Sequence, residues 1–175
     1  MDLRSMLIAN LENPDGGEGI VDHAYFDTTG NLTGWMGHKI LYGDINPATG
    51  KQWQENDPIS AETGEVWAET DVSNAINDAP LFVSKFGITF DNLPDYCKLA
   101  IYELLFNLGE GRFSAFVNTL ALIREGNYSG AAAHILQNSL WVSQVHQERA
   151  DRIAAEIAGT WTPPSQPVTE VAENP

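Results

Sequence analysis

Between residues 18 and 38 the chain reads EGIVDHAYFDTTGNLTGWMGH, and two carboxylates and a hydroxyl in that stretch are spaced for chemistry. Glu18 and Asp27 flank a transition out of a helix and into a hairpin, and Thr33 follows on the returning strand. Carboxylates delivered by different short elements can face each other across a cleft with a gap between them. Hydrolysis of a glycosidic bond uses that arrangement. One carboxylic acid protonates the leaving oxygen, and a second carboxylate activates a water or attacks the sugar carbon itself. Spacing alone leaves both routes open, and a plainer reading stands beside each residue. The chain holds 24 Asp and Glu, most of them surface-solvating. Asp27 also suits the start of an Asx turn, and Thr33 is a β-branched strand residue like any other.

These side chains need elements to hold them. Residues 2–12 place Leu3, Met6, Leu7 and Leu11 on one face, so a short amphipathic helix opens the chain. Asn13, Pro14, Asp15, Gly16 and Gly17 all favour turns and end it. Tyr25 and Phe26, a turn over residues 27–31 and the stretch 32–38 predict a small β-hairpin or meander. Residues 40–57, rich in Gly, Pro, Asn and Asp, read as loop, and Ser60 suits the N-cap of a helix reaching about residue 77. Residues 95–108 are apolar on nearly every face, as in a helix at the centre of a domain, and Gly109-Glu110-Gly111 stops them. Three further helices are expected over 113–124, 129–138 and 144–158. The fold class is therefore α+β. A small N-terminal lobe spans about 13–75, and a helical lobe spans about 76–161 and takes in helix 2–12. Together they make a single domain over 1–161, with 162–175, TPPSQPVTEVAENP, as a disordered tail.

Charge and cysteine exclude several classes of partner. The 24 acids face 9 Lys and Arg, a net charge of −15, and residues 1–91 alone hold 15 acids against 4 bases. A phosphate-neutralising nucleic-acid binder needs the opposite balance, and so does adhesion to anionic membranes. The lone Cys97 excludes a disulfide framework and a Cys-based zinc site, and on its apolar helix it reads as a small core residue. His23, His38, His134 and His146 show no metal-ligand spacing, so no metal or cofactor is expected. No apolar run approaches the roughly 20 residues that span a bilayer, and residues 1–17 lack the apolar stretch of a signal peptide. The expectation is a soluble, disulfide-free monomer.

Taken together, the spacings resemble the catalytic region of the phage-type lysozymes, glycoside hydrolase family 24. Glu18-Gly19, eight residues between Glu18 and Asp27, Asp27-Thr28-Thr29-Gly30, five residues between Asp27 and Thr33, and Gly37-His38 follow that family's pattern. A second block runs Phe106-Asn107-Leu108-Gly109-Glu110 and then Phe116-Val117-Asn118-Thr119-Leu120, with Trp141, Arg149-Ala150-Asp151-Arg152 and Gly159-Thr160-Trp161 beyond. The resemblance implies a lysozyme-like fold with its cleft between the lobes. It implies an inverting muramidase that cuts the β-1,4 bond between N-acetylmuramic acid and N-acetylglucosamine in bacterial peptidoglycan. Glu18 would be the general acid, Asp27 would position or activate the water, and Thr33 would help hold it. Phe106, Asn107, Thr119 and His134 match cleft positions, and Arg149 matches an arginine that pairs with the general acid. A free endolysin would gather in the host cytoplasm and depend on a holin to reach the wall; virion association is the other setting.

Some residues depart from the pattern. Trp35 stands where the family has glycine, so the strand is repacked, or the indole fills the cleft or offers a sugar-stacking platform. Residues 13–17 are an insertion, so Glu18 leaves a loop; Glu12 is a weaker alternative acid because its spacing to Asp27 is wrong. A charge of −15 opposes an anionic wall, which a high-salt setting would screen. A catalytically weak or inactive glycan-binding or virion module on the same fold is the alternative function. His38 is expected to bond a nearby carboxylate at its strand end, and Val66 and Trp67 to pack.

Overall fold

The structure, a computed structural model, describes residues 2–13 and 19–162. Helix α1, Leu3–Glu12, begins where the Asp2 side chain accepts the Ser5 N–H at 2.9 Å, and it buries Leu7 and Leu11 completely. Three short antiparallel strands follow: β1 (Val21–Phe26), β2 (Leu32–Trp35) and β3 (His38–Lys39), in the order β1-β2-β3. Tyr25 faces Thr33 across one side of β2, and Lys39 faces Thr33 across the other. The meander read from the sequence is thus present. The expected loop over 40–57 also pairs two residues on each side, as β4 (Ile45–Asn46) and β5 (Lys51–Gln52).

Helix α2, Ala61–Ser84, opens on Ser60, whose hydroxyl accepts the Thr63 N–H at 3.2 Å. It runs seven residues past the expected end, straight through Pro80. Proline removes the N–H that would bond the Ile76 carbonyl, but Ala79, Phe82 and Val83 around it are buried, and that packing outweighs the lost bond. The helix touches β2 and β3 as well as α3, and it crosses residues 75–76 unbroken.

A single 3-10 turn, Phe90–Asn92, leads to α3, Asp95–Phe113. Every residue from Leu99 to Leu105 is buried, which is the all-round apolar helix of a domain centre. Gly109 breaks it with φ 65° and ψ 168°, a conformation open essentially to glycine, but a last turn resumes and carries the helix to Phe113. Helices α4 (Val117–Arg124), α5 (Tyr128–Ile135), α6 (Ser139–Val145) and α7 (Gln147–Ala158) follow; α4 packs on α5, and α7 packs on α3, α5 and α6. The sequence suggested one helix over 144–158. Instead His146, at φ 65° and ψ 152°, divides two. The result is the lysozyme-like α+β fold expected. The tail from residue 163 lies outside the described residues.

Candidate active site

The turn after β1 holds Asp27 by its side chain and its backbone. Its N–H donates to the Asn31 carbonyl at 2.9 Å, its carbonyl accepts Gly30 N–H at 3.0 Å, and Gly30 sits at φ 80°. Asp27 Oδ1 accepts the Thr29 and Asn31 backbone N–H groups, each at 2.8 Å, and the Thr29 hydroxyl at 2.9 Å. Oδ2 takes the Asn31 side-chain amide at 3.1 Å. Partial burial works to raise the pKa of this carboxyl, but the donors from Asn31 and Thr29 more than offset it and hold it below the ordinary value. Thr33, 5% exposed, sits on the central strand and donates its hydroxyl to the Asn31 carbonyl at 3.1 Å, leaving its oxygen free to accept.

Asp27 and Thr33 face a cleft of about 430 Å³. Phe106, Asn107 and Gly109 of α3 form one wall, and Asp71, Asn74 and Asp78, spaced at helical intervals, line it from α2. The cleft therefore brings together Asp27, Thr33, Phe106 and Asn107 of the sequence-derived set. Thr119 and His134 lie elsewhere, in a separate pocket with Phe116 and Asn118, where Thr119 Oγ1 is 3.1 Å from His134 Nδ1. Glu18, the residue assigned the acid role from the sequence, lies outside the described residues, as do Pro14, Asp15, Gly16 and Gly17. The chain re-enters at Gly19, whose N–H donates to the Leu11 carbonyl in the last turn of α1. Arg149 is on α7 and 3% exposed.

Other residues hold the site in place. His38 has a carboxylate within reach, Asp71 Oδ2 at 2.8 Å from Nδ1, and its ring stacks on Trp67 at 4.4 Å. Trp67 packs as expected, while Val66 next to it is exposed. Trp35 lines no part of the cleft. Its indole is buried against Gly64 in the first turn of α2, so the strand is repacked around it. Burial pushes the Cys97 thiol up to about 12, which leaves it protonated and inert.

One cluster had gone unread in the sequence. Glu103 and Glu156, both fully buried, share the Asn10 amide at 2.5 and 2.7 Å and the Arg152 guanidinium. This ties α1, α3 and α7 together. The available signal was a lone Glu in the apolar run of α3, since a charge there requires a partner. Among the described residues no group of three or more His, Cys, Asp or Glu side chains could hold a metal ion. No described helix is long and apolar enough to cross a membrane.

Comparison with known proteins gives the family. "Probable T4-type lysozyme 2" of Dictyostelium discoideum is 31% identical over 141 residues, covering 74% of this chain and 81% of that protein. "Peptidoglycan hydrolase gp36" of Pseudomonas phage phiKMV is 26% identical over 143 residues, 82% of this chain but 14% of that much longer protein. The phage lysozyme family pattern matches residues 15–155, from just before Glu18 to near the end of α7. With that span matched and its cleft formed between the three-stranded sheet, α2 and α3, the chain belongs to the phage lysozyme family.

Proposed function

We propose that this chain hydrolyses peptidoglycan as a muramidase, cutting the β-1,4 bond between N-acetylmuramic acid and N-acetylglucosamine with inversion. Family membership supports the substrate, and one observation carries the mechanism. A carboxylate held ionised by Thr29 and Asn31 stands beside a buried hydroxyl in the cleft.

In this reading Glu18 donates its proton to the leaving glycosidic oxygen. Asp27, with its pKa held below the ordinary value, meets the water as a carboxylate. Oδ1 accepts two backbone N–H groups, the Thr29 hydroxyl lies 2.9 Å from Oδ1 and 3.0 Å from Oδ2, and Oδ2, which also takes the Asn31 amide, has a site for a water when that hydroxyl turns to Oδ1. Thr33, with its proton committed to Asn31, accepts the water's second hydrogen and fixes its direction. The water attacks the anomeric carbon from the face opposite the leaving group and gives up a proton to Asp27, whose charge until then balances the positive charge growing on the ring. Arg149 is the assigned partner of Glu18. Such a partner lowers an acid's pKa, so burial of Glu18 would have to offset it. Thr119 and His134 would meet the substrate only where it extends beyond the Asp27 cleft. The wall lies beyond the host membrane, so a free enzyme would rely on a holin for access.

With Trp35 buried against Gly64, the indole gives no support to a blocked, non-catalytic cleft. The test is lysis of purified cell walls by the wild type and Glu18→Gln. The variant should fold normally and lose about 10²–10⁴-fold in turnover, the worth of a positioned general acid. Retention of more than about a tenth of the activity would move that role to another residue.

A further inference from the structure

The chain's nine Lys and Arg are unevenly committed. Arg4, Lys85, Lys98, Arg124 and Arg152 each have a carboxylate within 4 Å. Among the described residues Lys39, Lys51 and Arg112 have none, and of these three Lys39 and Arg112 line the cleft. The cleft's own acids are largely engaged: Asp71 with His38, Glu110 with Lys85, and Asp27 with Asn31 and Thr29. Two unpaired cations in a protein of net charge −15 are held apart from acids that could have neutralised them.

Their placement indicates what they meet. Lys39 is the cross-strand partner of Thr33, so the two side chains leave the same face of the sheet as near neighbours. Arg112 comes from the opposite wall, in the turn of α3 that resumes after Gly109. A negative group reaching both must hang from the sugar next to the hydroxyl that holds the water.

We propose that Lys39 and Arg112 are specificity-determining residues that grip a carboxylate attached through the lactyl ether of the muramic acid. This rests on the muramidase reading above. The carboxylate has two sources, the lactyl group itself on bare strands or an acidic residue of the stem peptide. Either would let a strongly acidic enzyme hold an anionic polymer at the one place where attraction counts.

The test uses the full chain with Lys39→Gln, Arg112→Gln and, as a cation outside the cleft, Lys51→Gln. Each is assayed for cleavage of intact peptidoglycan and of strands stripped of peptide by an amidase. Sedimentation with insoluble peptidoglycan and with neutral poly-N-acetylglucosamine reports binding. Lys39→Gln and Arg112→Gln should each lose about tenfold or more in kcat/KM and in binding on peptidoglycan, the scale of one charged hydrogen bond. Lys51→Gln should change little, and neutral polymer should not distinguish the four proteins. Loss that persists on stripped strands assigns the lactyl carboxylate, and loss confined to intact wall assigns the stem peptide. An equal loss in Lys51→Gln, or on neutral polymer, overturns the proposal. A wild type that cleaves nothing ends the muramidase reading, and the sedimentation series then decides the cationic pair alone.

Discussion

Trp35 and Gly64 make a measurable pair. Trp35 sits at φ 56°, a conformation that costs a non-glycine residue about 1–2 kcal/mol. A Cβ added at Gly64 would lie 2.0, 2.3 and 2.4 Å from Cδ2, Cε3 and Cε2 of the Trp35 ring. No real contact is that short, and a buried indole cannot swing aside as a lysine tail can. Gly64→Ala therefore forces ring or helix to move, at the upper end of the ~1–3 kcal/mol typical of overpacking, against about 1 kcal/mol gained by alanine over glycine in a helix. The net expectation is a loss of about 2 kcal/mol. Trp35→Gly relieves the backbone but empties the site, and should cost about 1–4 kcal/mol once the relief is set against the ~3–5 kcal/mol of a large-to-small core change. In that background alanine at 64 meets no ring, and its effect should reverse to a gain of about 1 kcal/mol. The coupling is then about 3 kcal/mol. Urea unfolding of the four proteins measures it directly. A Gly64→Ala cost that is the same with and without the indole would refute the packing described here. Functionally, Trp35→Gly assayed well below its melting temperature should keep the wild-type KM. A raised KM would return the indole to the cleft.

Other outcomes follow from individual groups. Asn31→Ala removes a donor from Asp27 Oδ2, so the Asp27 pKa should rise and the acid limb of kcat should move to higher pH; a pH–rate profile reads this. The depressed Asp27 pKa also means that its stabilising contribution is present above the ordinary Asp pKa and is lost as pH falls through the folded value. Glu156 behaves oppositely. Burial, and then the charge of Glu103, push its pKa well above the usual range, so its contribution is complete below the ordinary Glu pKa and declines as pH rises through the folded one. Glu156→Gln should flatten that decline in thermal melts at rising pH. Finally, proton NMR of freshly released product should show the α anomer, because a water between two separated carboxyls inverts the β bond; initial β product would give Asp27 the role of nucleophile.

Much of the fold was legible because its patterns are local. Helix α1 shows its apolar spacing, Ser60 its capping chemistry, and α3 its unbroken apolar run. What misled was punctuation whose cost is met elsewhere in the molecule. Pro80 does not end α2, because buried neighbours on both sides hold the helix. His146 breaks a helix that its sequence would continue, since nothing local requires a left-handed residue there. Gly109 was correctly read as a break, but a turn of helix beyond it faces the cleft and carries Arg112.

The candidate site divides along the same line. Asp27 reads from the sequence as a turn residue or as a catalytic carboxylate, and the structure shows the turn. The hydrogen bonds that close the turn, from Thr29 and Asn31, are the ones that hold the carboxyl's pKa below the ordinary value. The turn also returns the chain at the register that places Thr33 opposite Tyr25 and Lys39, with its hydroxyl anchored to Asn31. A one-residue change in that loop would flip Thr33 to the other face of the sheet and take Lys39 out of register with it. Spacing from Asp27 to Thr33 was therefore readable because it is a turn's length. Arg112, Asp71 and Asn74 come to the same cleft from helices far along the chain, which no local spacing encodes.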